Sequence, residues 1–215
     1  MRHLRYLALI LLAATLSACQ VFSSTTSPKQ TVSRLQGNLT QNNGQWLFQP
    51  CSATNSYILK PSAALTDELN TLIAETPSSL FADLAGHLDN TQRHFTPTQR
   101  YRLQIEGHAC NDPDFARLQV RASGNEPFWS LLQTPQGLIF NPPGASAIAL
   151  PYIEEQLPDG RFHISTEANQ QSLSVWLTPQ AGTDSMSGTV HHLTAQLQWN
   201  KQALRGCASF GALRD

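Results

Sequence analysis

The chain has 215 residues, of which 40% are hydrophobic and only 13% charged, with a formal net charge of −1. It carries no basic stripe, which argues against nucleic acid as a partner. Beyond the first twenty residues no segment reaches the roughly eighteen apolar positions that a membrane-spanning helix needs.

The chain opens Met1-Arg2-His3-Leu4-Arg5, with two fixed positive charges and no acid. Residues 6–16 follow as an apolar run broken only by Thr15. Eleven helical residues rise about 16 Å, roughly half a bilayer core. That suits the apolar core of a signal peptide and is too short for a permanent span. Leu16-Ser17-Ala18-Cys19 then matches the lipobox of bacterial lipoproteins. Residues 1–18 are therefore expected to be a lipoprotein signal peptide, with Cys19 the lipid-bearing first residue of the mature chain. Each buried methylene of an acyl chain such as palmitate contributes about 0.8 kcal/mol, so several chains hold a protein permanently. Gln20 in place of Asp fits sorting to the outer membrane, facing the periplasm. Residues 19–33 are rich in Ser, Thr and Gln and read as a lipidated flexible tether. Removing Arg2 and Arg5 leaves 12 basic against 15 acidic residues, a formal charge of −3.

The mature sequence reads mainly as β structure. Residues 35–40 and 45–49 flank Asn42-Asn43-Gly44, a hairpin signal because Asn and Gly tolerate positive φ. Residues 57–59 continue as a third strand. The spacing of Leu65, Leu69, Leu72 and Ile73 predicts a helix over 66–76, capped by Thr66 and stopped by Pro77. Residues 80–88 suit either a second short helix or a strand bending at Gly86. Tyr101, Leu103 and Ile105 alternate with Arg102, Gln104 and Glu106, the pattern of a half-buried strand. From Phe115 onward seven or eight short strands are predicted, joined by Gly, Pro and Asn turns. They include 129–133, 138–141, 148–153, 161–165, 173–178, 193–199 and 203–209. The expected architecture is an N-terminal β/α subdomain over 34–112, OB-like with one helix, followed by a C-terminal antiparallel β-barrel or sandwich over 113–212.

Besides Cys19 the chain has Cys51, Cys110 and Cys207. A secreted chain favours pairing, and three thiols cannot all pair internally. Cys51–Cys110 is the expected bridge, with Cys207 left over.

Three further segments stand out. They are Gly124-Asn125-Glu126-Pro127-Phe128-Trp129, Asp184-Ser185-Met186-Ser187-Gly188, and Leu204-Arg205-Gly206-Cys207-Ala208. In this order they resemble the motifs of a family of small proteobacterial envelope lipoproteins without an assigned activity. Residues 150–160, 46–51 and 107–110 extend the resemblance over most of the mature chain. The family is similar in architecture to NlpE-like lipoproteins and META/HslJ-like domains, an analogy of fold that does not fix function. Its members commonly carry a cysteine just before the Asp-Ser-Met-Ser motif, placed to pair with that of the Arg-Gly-Cys motif. Here that stretch reads Ala181-Gly182-Thr183, so the resemblance implies a lost second bridge. Cys207 is then either buried as a small apolar residue or open to intermolecular chemistry.

The candidate binding residues are Asn125, Glu126, Trp129, Asp184, Ser185, Met186 and Ser187. Glu126 reads either as a carboxylate in an apolar pocket or as a turn acceptor, with Phe128 and Trp129 filling the core. Asp184 and Ser185 suit either a binding mouth or local turn hydrogen bonds. His191 and His192 are neighbours on a strand and point to opposite faces, so they do not share a metal. His108 and Cys110 have a spacing that suits one face, but a disulfide at Cys110 removes it as a ligand. Neither HExxH nor CxxC occurs, and neither metal nor cofactor is expected. No catalytic residue is assigned.

The leading expectation is a non-enzymatic binding or envelope-stress-sensing lipoprotein for a small ligand or an envelope protein. The alternative is a protein inhibitor of a cell-wall hydrolase, favoured if the 184–188 motif lies on an exposed loop. The third is an envelope hydrolase using Glu126 and Asp184, which requires the two carboxylates to face each other.

Overall fold

The computed structural model describes residues 31–75 and 79–214. The expected signal peptide, Cys19 and most of the expected tether lie outside the described residues. The first strand starts at Val32, so the last two residues assigned to the tether belong to the sheet.

The first sheet begins with β1 (Val32–Asn42) and β2 (Gln45–Pro50), which pair around the Asn43-Gly44 turn with Asn42 opposite Gln45. Asn43 and Gly44 both have positive φ, at 48° and 76°, as a tight hairpin turn demands. β3 (Tyr57–Leu59) pairs with β2. Helix α1 (Ala63–Glu75) follows, three residues earlier than its apolar spacing predicts. Ser62, not Thr66, caps it, its Oγ accepting the Leu65 N–H at 3.3 Å. The predicted stripe holds: Leu65, Leu69 and Leu72 are buried in the barrel core. Each fully buried leucine contributes roughly 2 kcal/mol.

β4 (Leu80–Asp89) resolves the ambiguous segment as a strand, with register shifts at Asp83/Leu84 and Ala85/Gly86. It pairs with both β1 and β5 (His94–Gln104), and β5 runs parallel to β3. The order β1-β2-β3-β5-β4 thereby closes into a five-stranded barrel with the helix between β3 and β4, the expected OB-like arrangement. Leu39, Phe48, Leu84, Phe95 and Leu103 fill it, with the Phe48 and Phe95 rings 5.3 Å apart. Cys51 and Cys110 are bonded as expected, with Cα atoms 5.3 Å apart.

The second sheet has nine antiparallel strands and curls into a half-barrel. In chain order they are β6 (Val120–Asn125), β7 (Phe128–Thr134), β8 (Gly137–Asn141), β9 (Ile148–Leu150), β10 (Ile153–Gln156), β11 (Phe162–Ala168), β12 (Gln171–Thr178), β15 (Leu193–Trp199) and β16 (Gln202–Phe210). Trp129, Leu131, Phe140, Ile164, Val175 and Leu197 are among the side chains that fill its concave side. The single strand predicted over 148–153 is split at Pro151, which has no N–H to donate. β9 and β10 therefore sit at the two opposite edges of the sheet although only two residues separate them.

Two short strands remain: β13 (Gly182–Thr183), which no sequence pattern predicts, and β14 (Val190–His191), where His191 lies on a strand as expected. They leave the second half of the chain and extend the first sheet from β5, with His191 opposite Arg102. This overturns the reading of Arg102 as a solvent-facing residue. β14 pairs along the edge of its strand, and Arg102 is only 7% exposed, its guanidinium 4.5 Å above the Phe81 ring. Burial lowers its pKa to about 10, with the Asp83 charge opposing that shift.

Charged groups join the two sheets. Asp83 is wholly buried and accepts hydrogen bonds from Arg34 Nε at 2.8 Å and Gln36 Nε2 at 2.7 Å. Arg34 also donates to the carbonyls of Phe210 and Arg214 and lies 4.7 Å over the Tyr101 ring. Arg214 in turn pairs with Glu154 and stacks on Phe162 at 4.2 Å.

Candidate functional site

The three motifs meet at one place. Gly124 to Trp129 forms the tip of the β6–β7 hairpin, where Asn125 stands opposite Phe128 and the Glu126–Pro127 peptide is cis. Gly124 is required by close approach. A Cβ there would lie 2.1 Å from the Arg205 carbonyl oxygen and 2.4 Å from Trp129 Nε1. Trp129 is fully buried, and its indole N–H donates to the same Arg205 carbonyl at 3.2 Å. The tryptophan therefore supports the site from behind and does not line it.

Asp184 organises the second turn. Its Oδ1 accepts the N–H groups of Met186 at 3.0 Å and Ser187 at 2.8 Å, and the Ser187 hydroxyl at 2.9 Å. The Gly188 N–H closes the turn on the Asp184 carbonyl at 3.0 Å. The other carboxylate oxygen, Oδ2, accepts the Asn125 side-chain amide at 3.0 Å, so the two turns are latched together. Partial burial pushes the Asp184 pKa up. The hydrogen bonds from Ser187, Asn125 and Met186 outweigh it and hold the group below the ordinary carboxylate range.

β16 supplies the third side. Arg205, Gly206 and Cys207 border a shallow groove of about 470 Å³ with Asn125, Glu126 and Asp184. Cys207 is half-buried and unpaired among the described residues, and Gly182 of β13 lies over its sulfur. Burial raises its thiol pKa and the Asp184 charge adds to the shift, so the sulfur stays protonated at neutral pH.

No family model, curated protein or solved structure matches the chain.

Six of the seven predicted residues gather around the two latched turns, and Trp129 lies behind them. Glu126 is exposed and takes no side-chain hydrogen bond among the described residues, so it is not the turn acceptor. Asp184 does perform the turn chemistry, with Ser187 rather than Ser185 as its partner. Ser185 Oγ has only a long 3.5 Å contact with Asn125. Phe128, read as a core residue, is 63% exposed, because strand alternation turns it away from Trp129. Met186 is 78% exposed on the neighbouring turn. Sequence reasoning did not assign Arg205, although it sits inside the Arg-Gly-Cys motif.

His191 and His192 do point apart. His191 Nδ1 meets Ser209 Oγ at 2.7 Å, and His192 Nδ1 meets the Tyr101 carbonyl at 2.9 Å. Burial lowers both pKa values to about 4. Among the described residues no three His, Cys, Asp or Glu side chains are grouped to hold a metal ion.

Proposed function

We propose that the chain is a lipid-anchored, non-enzymatic binding lipoprotein of the bacterial envelope, held through Cys19 and facing the periplasm, whose recognition surface is the pair of latched turns. One observation carries this reading. Phe128 and Met186 are large apolar side chains left exposed on two turns that Asn125 and Asp184 hold together. Rigid turns lose little freedom on binding, so exposed apolar groups on them become effective anchors. The half-barrel interior is filled by its own side chains, which favours a protein partner over an enclosed small ligand. The partner's matching surface is an apolar socket with a basic rim to meet Glu126.

Inhibition of a cell-wall hydrolase is the second reading, favoured by the exposure of the 184–188 turn. Hydrolysis by Glu126 and Asp184 fits less well. Asp184 spends its lone pairs on its own turn and on Asn125, and its lowered pKa makes it a weak base.

The test is site-specific photo-crosslinking in the native envelope, from position 186, from position 128 and from Gln45 on the barrel. The same single protein trapped from 186 and 128, absent from 45, and lost on Phe128→Ser, supports the reading. No adduct, or one shared with position 45, overturns it. Cys19→Ala is expected to move the mature chain into the soluble fraction. Retention on membranes after a salt wash refutes the anchor.

A further inference from the structure

A second surface lies on the outer face of the half-barrel. Cross-strand pairing places Glu155 opposite His163, His163 opposite Trp176, Trp176 opposite Gln196 and Gln196 opposite Arg205. Five adjacent strands thus present one row of planar, hydrogen-bonding side chains, about 19 Å long at the usual strand spacing of about 4.8 Å. Trp176 stands at its centre and is 41% exposed, whereas Trp46 and Trp129 are buried and Trp199 packs on Phe140. Its indole is held in place: the His163 ring stacks on it at 4.9 Å with 19° between planes, and Glu155 holds the imidazole at 3.1 Å. Trp176 also borders a groove of about 390 Å³ with Arg161, Thr178 and Gln196.

We propose that this row is a binding site for an oligosaccharide that carries carboxylate groups. A pyranose ring has an apolar C–H face and a hydroxyl rim. The first needs a flat, exposed, oriented aromatic platform, and the second needs polar side chains around that platform. Trp176 supplies the platform, already oriented, so stacking does not have to order it. Gln196 and Thr178 supply donors and acceptors for hydroxyls. Charge selects the class of sugar. Arg161 lies in the groove and Arg205 at the far end of the row, whereas the row's carboxylate, Glu155, is engaged by His163. A guanidinium there meets a sugar carboxylate by a charge-assisted, bidentate hydrogen bond. Arg205 also borders the groove of the latched turns, but Trp176, Arg161, Thr178 and Gln196 do not, and the site does not depend on a protein partner there.

The experiment is a titration of the full chain in detergent, followed by tryptophan fluorescence and calorimetry. One arm uses glycan fragments containing muramic acid, another the acidic core oligosaccharide of lipopolysaccharide, and a third neutral chitotetraose. A spectral shift with at least one acidic sugar, weaker with chitotetraose, is expected. Trp176→Ala is expected to weaken binding at least tenfold and Trp176→Phe by less. Arg161→Gln is expected to abolish the preference for the acidic sugar. The difference between the two acidic arms identifies the source. Absence of binding in all three arms at millimolar sugar, binding that survives Trp176→Ala, or equal binding of chitotetraose overturns the proposal. None of these variants touches the turns, so photo-crosslinking from position 186 is unaffected by the outcome.

Discussion

Asn125 donates its side-chain amide to the carboxylate of Asp184 at 3.0 Å, across 59 positions of sequence, and this contact couples two turns that belong to different strand pairs. Asn125→Ala removes a hydrogen bond to a charged acceptor and is expected to cost roughly 1–2 kcal/mol. Asp184→Ala is expected to cost more, because it also strips the acceptor from the Met186 and Ser187 N–H groups. Urea unfolding of both variants measures the order. Equal stability of Asn125→Ala and the parent would mean that the turns are independent.

Gly182 faces Cys207 so closely that a Cβ at 182 would lie 2.8 Å from the sulfur. That separation is too short for a non-bonded contact, yet it is close to the cross-distance of about 3 Å between Cβ and the far sulfur in a disulfide. Opposite signs are therefore expected for two small substitutions. Gly182→Ala destabilises. Gly182→Cys, under oxidising conditions, forms a bridge that stabilises by roughly 3 kcal/mol through closure of an intermediate-length loop. Thiol titration before and after reduction, with unfolding midpoints for each, decides the matter. A persistent free thiol in Gly182→Cys would sink it.

Two buried histidines make the fold acid-sensitive. His191 and His192 have folded pKa values of about 4 against an unfolded value near 6.5. For His191 the cause is burial, then the positive charge of Arg102, with Asp184 opposing; His192 likewise feels Arg34 and Arg100, with the Tyr101 carbonyl and Asp83 opposing. A depressed histidine pKa means that the unfolded chain binds the proton first. Stability is thus complete above about pH 6.5 and falls progressively towards pH 4, by up to roughly 3 kcal/mol per histidine. Asp184 adds to the loss at lower pH, since its folded pKa is also lowered. Unfolding measured at intervals from pH 7.5 to 4 should show this slope, and His192→Phe should reduce it. A flat profile would contradict the neutral buried state of both rings.

Arg34 and Asp83 form a buried ion pair inside the barrel, from which Arg34 also reaches the Phe210 and Arg214 carbonyls of the second half. Arg34→Ala leaves the wholly buried Asp83 carboxylate with Gln36 as its remaining hydrogen-bond partner. A buried charge that loses its ion-pair partner costs about 3–5 kcal/mol, and the nearby Arg102 charge offsets part of that here. Asp83→Asn in the same chain should recover part of that loss, a non-additivity that a double-mutant cycle reads directly. Additive costs would show that the pair acts through packing alone.

Much of the architecture is legible in the sequence. Asn42-Asn43-Gly44 announced its hairpin through positive φ, and the spacing of Leu65, Leu69 and Leu72 announced the buried face of the helix. Local signals failed where distant strands decide. The pair Gly182–Thr183 and the pair Val190–His191 are too short to show a period, and they become strands only by joining β5. Arg102, whose own strand gave it the phase of a surface residue, is buried against Phe81. Residues 148–153 read as one strand despite Pro151, and nothing nearby indicated that the two sides of that proline would lie at opposite edges of a nine-stranded sheet. At the site, the candidate residues of two motifs were named separately, and only the fold brings them together. The division of labour among neighbours, with Trp129 inside and Phe128 outside, depended on which residue of the hairpin faces the core.

The bond between Cys51 and Cys110 encloses β3, the helix, β4 and β5 in one covalent loop. A protease that cuts anywhere between residues 52 and 109 therefore yields two pieces that remain tied, each still anchored by its own part of the barrel. Damage to that stretch is survivable in a setting where nicked chains are not replaced quickly, provided the bridge is intact. Reduction of that bond converts the same cut into loss of the fragment.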